Sequence, residues 1–230
     1  MKALLINGSP HRGAAASRVV LDTLKAKLGP EHEYRMIEVA TQPEAAPEDL
    51  EADLLVLAFP LYVDSLPSPV LNWLVSCERL RSETARAGTT LRPQAMVAAA
   101  NCGFYEGVQN ENALAIVANF CTRAGIEWRG GLGIGSGGML KGVESAPENM
   151  FIKRPVSRAI AELANLALDP RLGPGQGPGQ KPRVLYASHA FPRWLYIAVA
   201  NTGWRHDAAA HGLKARDLGA RPYLVAQLPH

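Results

Sequence analysis

Leu54-Leu55-Val56-Leu57-Ala58-Phe59 is an unbroken apolar run, followed by Pro60-Leu61-Tyr62-Val63-Asp64-Ser65-Leu66-Pro67 and then Ser68-Pro69. Six consecutive apolar residues ahead of a proline turn suit a strand covered on both faces, as in a parallel sheet. Ser68 reads as a helix cap, with Pro69 at the first helical position. Val70, Leu71, Leu74 and Cys77 then continue as a helical stripe. A strand, a stiff turn and a helix make the repeating unit of an α/β fold.

The same alternation extends outward in both directions. Ala3-Leu4-Leu5-Ile6 ends at Gly8-Ser9-Pro10, and Leu21, Leu24 and Leu28 follow at helical spacing. Tyr34 to Val39 alternates as a strand, while Pro43 to Ala52 lacks a helical pattern. Gln94 to Ala100 reads as a fourth strand and the Gly-rich Trp128 to Ile134 as a fifth. Between them, Ala113, Leu114, Val117, Phe120, Cys121 and Ala124 form a helical stripe; Val156, Ile160, Leu163, Ala164 and Ala167 form the last. The expectation is a five-stranded parallel sheet of order 2-1-3-4-5, flavodoxin-like, with helices on both faces. Ligands of such sheets sit where the strand order reverses, at the carboxyl ends of strands 1, 3 and 4.

The composition agrees with one globular body plus an appendage. The chain has 230 residues, 47% of them apolar and 20% charged, enough for a full core without staples. Pro170 to Pro182 is dominated by Gly and Pro and reads as a linker. It separates an expected domain at 1–169, which closes without the rest, from a helical tail at 183–230. Residues 181–230 carry seven basic and two acidic residues and four of the six histidines. The tail's Phe191, Trp194, Leu195, Tyr196, Ile197 and Trp204 call for docking, on protein rather than on a membrane surface, and no nucleic-acid partner is expected. Three dispersed cysteines, Cys77, Cys102 and Cys121, exclude a disulfide framework and a compact metal or iron–sulfur cluster. The start of the chain has the layout of a strand rather than of a signal peptide, and no apolar run is long enough for a transmembrane helix. The cytoplasm is the expected compartment.

The three loops at the reversal are the most distinctive segments. Gly8-Ser9-Pro10-His11-Arg12-Gly13-Ala14-Ala15-Ala16-Ser17 leads into a helix. It offers hydroxyls from Ser9 and Ser17, charge from Arg12, and a helix N-terminus for a phosphate. Ser17 could equally be only a cap. The turn after strand 3 can lay apolar surface and backbone amides beside a flat ligand, or simply pack with Tyr62 over the core. In Asn101-Cys102-Gly103-Phe104-Tyr105-Glu106, Gly103 lets the backbone approach a ring, and Cys102 reads as an inert small residue. Gly133-Ile134-Gly135-Ser136-Gly137-Gly138 matches a dinucleotide fingerprint, but it lies at strand 5 without a clear following helix, so a Rossmann reading is rejected. No metal-ligand spacing is present.

At these loops the sequence resembles the NAD(P)H-dependent FMN reductase-like branch of the flavodoxin superfamily, over residues 2–168. The resemblance rests on Gly8-Ser9-Pro10-His11-Arg12 with Ser17, on the turn Pro60 to Pro67, and on Asn101 to Glu106. Asn110 to Ala124 and Gly125 to Gly135 also look like that family, and the tail more weakly so. The resemblance implies non-covalent FMN, with Ser9, His11, Arg12 and Ser17 at the phosphate. Pro60, Leu61, Tyr62 and Val63 would then flank the flavin, and Asn101, Gly103, Phe104 and Tyr105 its other edge. His11 stands where the family usually has Arg or Lys, and Ala15 where it often has Ser. The implied activity is an oxidoreductase passing electrons from NAD(P)H through FMN to a quinone or similar small acceptor, commonly as a homodimer. No protein side chain would be the catalyst. The alternatives are a flavodoxin-type electron carrier and a flavin-free interaction protein.

Overall fold

Six parallel strands form one sheet: β1 (Lys2–Asn7), β2 (Glu33–Glu38), β3 (Leu54–Pro60), β4 (Ala95–Asn101), β5 (Glu127–Ile134) and β6 (Val184–Ala187). Their order is β2-β1-β3-β4-β5-β6. The computed structural model describes residues 1–11, 15–169 and 183–220. The expected order 2-1-3-4-5 is present, but the expectation of five strands is corrected to six. The sixth comes from the segment read as a helical tail. It escaped notice for a physical reason: it has only four residues, and as the edge strand it stays partly exposed, without an unbroken buried run. The linker expected at 170–182 lies outside the described residues.

Side-chain alternation sorts the apolar runs into two cores. Leu4, Ile6, Leu55, Leu57, Met96 and Ala98 face one side, where they meet α2 (Ser68–Arg86) and α3 (Glu111–Ala124) through Trp73, Leu74, Leu114 and Val117. Ala3, Leu5, Leu54, Val56, Ala95 and Val97 face the other. There they meet α1 (Ala16–Leu28) and α5 (Arg154–Leu168) through Val20, Leu21, Leu24, Ile160 and Leu163. A single turn of helix, α4 (Met139–Gly142), joins this second core through Leu140. The segment without helical pattern between β2 and β3 holds only a short 3-10 turn, Pro47–Glu51.

The helix starts differ from the sequence reading. Ser68 is already the first residue of α2, Pro67 stands at the cap, and no side-chain capping bond is made. Ser17 is not a cap either, since Ala15 occupies that position of α1. The chain divides into two units, Met1–Ala190 and Phe191–His230. The second holds α6 (Arg193–Ala210) and a 3-10 turn at Ala215–Gly219. No helix among the described residues is long and apolar enough to cross a membrane.

Candidate functional site

The loop after β1 is wound by its own polar side chains. Asn7 donates from Nδ2 to Glu38 Oε2 of β2 at 2.6 Å, and its Oδ1 accepts the Ser9 amide at 3.1 Å. Ser9 Oγ accepts the His11 amide at 3.2 Å. Ser9 and Ser17 are both buried. The Ser17 hydroxyl donates to Asn101 Oδ1, at the end of β4, over a long 3.4 Å. A bond of that length is weak and readily exchanged for a better acceptor. Ser17 thus points toward the strand ends, not back along its own helix.

The turn after β3 is strained. Tyr62 and Ser65 exchange both backbone hydrogen bonds at 3.0 Å, which puts Val63 and Asp64 at the two central positions with φ of 49° and 58°. Such a two-residue turn requires positive φ at both positions, a geometry suited to Gly or Asn and costly for a β-branched residue. The Leu61 amide donates to Asn101 O at 2.8 Å, tying this turn to the end of β4.

Beyond β4, Cys102 is buried and its thiol is engaged inward. Asn110 Nδ2 lies 3.3 Å from Sγ, and the Phe104 and Glu106 carbonyls lie 3.8 and 3.7 Å away. Burial pushes the thiol pKa up, against smaller opposing effects from the Asn110 and Phe104 hydrogen bonds. A protonated, enclosed thiol is a poor nucleophile.

The glycine run at the end of β5 has a steric explanation that the fingerprint match concealed. A Cβ on Gly133 or Gly135 would collide with the backbone of Gly107 and Tyr105, and one on Gly137 would stand 2.8 Å from Cys102 O. The run lets the loop after β4 lie directly on the end of β5. Beside it, Ser136 is fully buried with φ of 51° and lies 3.0 Å from His189 Nδ1. His189 follows β6, so the sixth strand braces this loop.

These four loops enclose a cavity of about 390 Å³. Of the residues expected from sequence, Ser9, His11, Ser17, Pro60, Leu61, Tyr62, Asn101 and Gly103 line it. Val63, Phe104 and Tyr105 do not: Val63 is 98% and Phe104 53% exposed, and Tyr105 O accepts the Ser188 hydroxyl at 2.6 Å. Arg12 lies outside the described residues. The sequence reading missed Ala15, Ala16, Gly137, Gly138 and Lys141 as lining residues, and Cys102 as a wall rather than a reactive group. The signal for the β5 loop was the glycine run itself. Among the described lining residues there is no carboxylate. No group of three or more His, Cys, Asp or Glu side chains is gathered for a metal among the described residues.

No protein-family model matches the chain, and no curated protein does. Solved structures do. An NADH:FMN oxidoreductase in its apo form aligns over 78% of this chain and 96% of its own, at 16% identity and a TM-score of 0.50. An NAD(P)H:quinone oxidoreductase from Methanothermobacter marburgensis aligns over 74% and 97%, at 16% identity and 0.49. A short-chain flavodoxin associated with a bacterial microcompartment aligns over 73% and 97%, at 14% and 0.48. The fold is flavodoxin-like. In the strand order of this chain, that class is extended by one edge strand.

Proposed function

We propose that the chain is an FMN-dependent oxidoreductase that takes electrons from NAD(P)H and passes them to a quinone or similar small acceptor. The observation that carries this reading is the convergence of the loops after β1, β3 and β4 on one cavity of about 390 Å³ whose described lining residues include no carboxylate. Its size falls in the range of small-molecule sites, roughly 300–1,000 Å³. Its donor set fits a flavin mononucleotide. One end offers two buried hydroxyls, Ser9 and Ser17, and the first turn of α1, which suit a phosphate. The other offers Pro60, Leu61 and Tyr62 as an apolar wall, and Gly103, around which there is open space.

When bound, FMN supplies hydride acceptance from NAD(P)H and onward electron transfer. The chain's own part is binding and orientation. Ser9 and Ser17, with Arg12 from the same loop, would hold the phosphate. Pro60, Leu61 and Tyr62 would cover one side of the ring, and Asn101 and Gly103 would meet its edge. Val63, Phe104 and Tyr105 stand near this edge in sequence and belong to the same proposal only as supports of their loops. A homodimer is part of the proposal by resemblance alone.

The test is spectroscopic and then kinetic. Purified protein reconstituted with FMN should show a bound-flavin absorbance band and release FMN, not FAD, on denaturation. It should then oxidise NADH or NADPH steadily when a quinone is present. Flavin binding without turnover would make the chain an electron carrier, and no binding of any flavin would leave an interaction protein.

A further inference from the structure

Lys141 is the one described residue lining the cavity that carries a fixed positive charge, and no ion pair involves it among the described residues. It comes from α4, outside the three loops at the strand reversal. On the assumption that the cavity takes FMN, we propose that Lys141 binds the terminal phosphate of the flavin nucleotide at the start of α1.

The position of α4 supports this choice over a role at the ring. Leu140 is buried in the same core as Val20, Leu21 and Leu24 of α1. Leu140 and Val143 also share a small void with Val19, Val20 and Thr23. The single turn of α4 therefore packs along the beginning of α1. The next residue after Leu140, Lys141, lines the cavity beside Ala15, Ala16 and Ser17, which open that helix. A lysine ammonium acts on phosphate as a mobile point charge and needs no bidentate geometry.

The chemistry of the rest of the wall calls for such a charge. A phosphate monoester carries nearly two negative charges at neutral pH. Against it, the β1 loop offers hydroxyls, backbone amides and, on the reading proposed above, the single charge of Arg12, which leaves about one negative charge for another cation. The described lining residues include no carboxylate to neutralise Lys141 in turn. Two features hold the loop that carries it. The Gly137 amide donates to Cys102 O at 2.7 Å, and Ser136 is bonded to His189. Lys141 is thus supplied from a braced loop rather than from a free end.

The experiment compares FMN with riboflavin, which lacks only the phosphate. Affinities are read by flavin fluorescence titration of the full chain for wild type, Lys141→Gln and Lys141→Arg. The expected result is FMN affinity lowered roughly ten- to hundredfold in Lys141→Gln, riboflavin affinity unchanged, and most FMN affinity restored in Lys141→Arg. The FMN affinity of wild type should also fall with salt more steeply than that of Lys141→Gln. Equal loss of FMN and riboflavin binding, or no loss of either, overturns the assignment while leaving the FMN reading intact. Unchanged FMN affinity with a raised KM for NADPH but not NADH overturns it in favour of the nicotinamide nucleotide. If wild type takes neither flavin, the functional reading itself fails, and this inference with it.

Discussion

Ser136 Oγ lies 3.0 Å from both the ring Nδ1 and the backbone amide of His189, 53 residues away along the chain. The hydroxyl has one proton, and Gly135 O at 2.7 Å is placed to accept it. Pairing every proton then assigns the hydrogen of the neutral ring to Nδ1, donating to Oγ, with Nε2 left as a bare acceptor. The pair links the end of β6 to the loop that presents Gly137, Gly138 and Lys141.

Burial, aided by the charge of Lys153, lowers the His189 pKa from its ordinary 6.5 to about 4. The unfolded chain therefore binds a proton between these values that the folded chain refuses. Stability should be fully present above pH 6.5 and fall as pH drops from 6.5 toward 4, by roughly 2–3 kcal/mol from this group. In His189→Asn, urea denaturation at several pH values should show lower stability at pH 7.5 but a flatter decline below 6.5. An unchanged slope would mean that the ring is not the titrating group.

Gly135→Ala tests the glycine run as a steric device. The added Cβ would meet Tyr105 O and the Gly107 amide, both of them backbone that cannot rotate away. A loss of about 2–4 kcal/mol is expected, typical of overpacking in a closed site. Gly203→Ala in α6 is the control. Its Cβ meets nothing within 4 Å, so it should gain about 0.5–1 kcal/mol from helix propensity. Thermal melts of the two variants should move in opposite directions.

The β1, β3 and β4 strands and their loops were legible because both faces of these strands are buried, which leaves long apolar runs, and because Pro or Gly follows each run within three residues. The β6 strand was not, because an edge strand of four half-exposed residues carries no such signature. The glycine run was visible but assigned to no role. Its function depends on contact with Tyr105 and Gly107, which sequence spacing does not display. Lys141 was hidden for a related reason: α4 is a single turn, too short for periodicity to show. The role of Ser17 needed three dimensions, because its partner Asn101 is 84 residues away.

Val63 offers a stabilising change next to the cavity. It holds φ of 49° and is 98% exposed, so it buries nothing in exchange for its strain. Left-handed backbone costs an ordinary residue roughly 1–2 kcal/mol, and glycine returns part of this through its looser unfolded state. Val63→Gly or Val63→Asn should therefore stabilise by about 0.5–1 kcal/mol in denaturant titration. A destabilised pair would show that the valine side chain has a partner in solution.

All three cysteines should resist alkylation in the native protein. Cys77, Cys102 and Cys121 are buried, and desolvation raises each thiol pKa, that of Cys77 to about 12. Thiolate is the reactive form, so iodoacetamide at pH 7.5 should label none on the timescale that labels all three in urea. Any NAD(P)H-dependent turnover of the kind proposed above should be mostly kept in Cys102→Ser. Rapid native labelling at Cys102 would instead indicate that the loop after β4 opens.

The sheet extends past Leu172 to its edge strand β6, Val184–Ala187. With the domain closing at 169, as the sequence pattern implies, a chain ending at Leu172 would be expected to keep its fold and any flavin binding. The structure changes that expectation. Arg183 O, just ahead of β6, accepts the Gly131 amide at 3.1 Å, and Ala187 O of β6 accepts the Gly135 amide at 2.8 Å. Leu185 and Ala187 pack against the core that holds α1 and α5. Ser188 and His189 then fasten the loops after β4 and β5. A chain ending at Leu172 loses all of these together and exposes the outer edge of β5, a site for unwanted strand pairing. A chain ending at Ala190 keeps them. Each kcal/mol moves the midpoint of a domain this size by about 2–4 °C, and several hydrogen bonds and two apolar side chains are at stake. The shorter chain should melt at least about 10 °C below the longer one, or aggregate, and should hold FMN poorly. Equal melting temperatures and equal FMN affinity for the two chains would show that β6 is dispensable to the sheet and to the cavity.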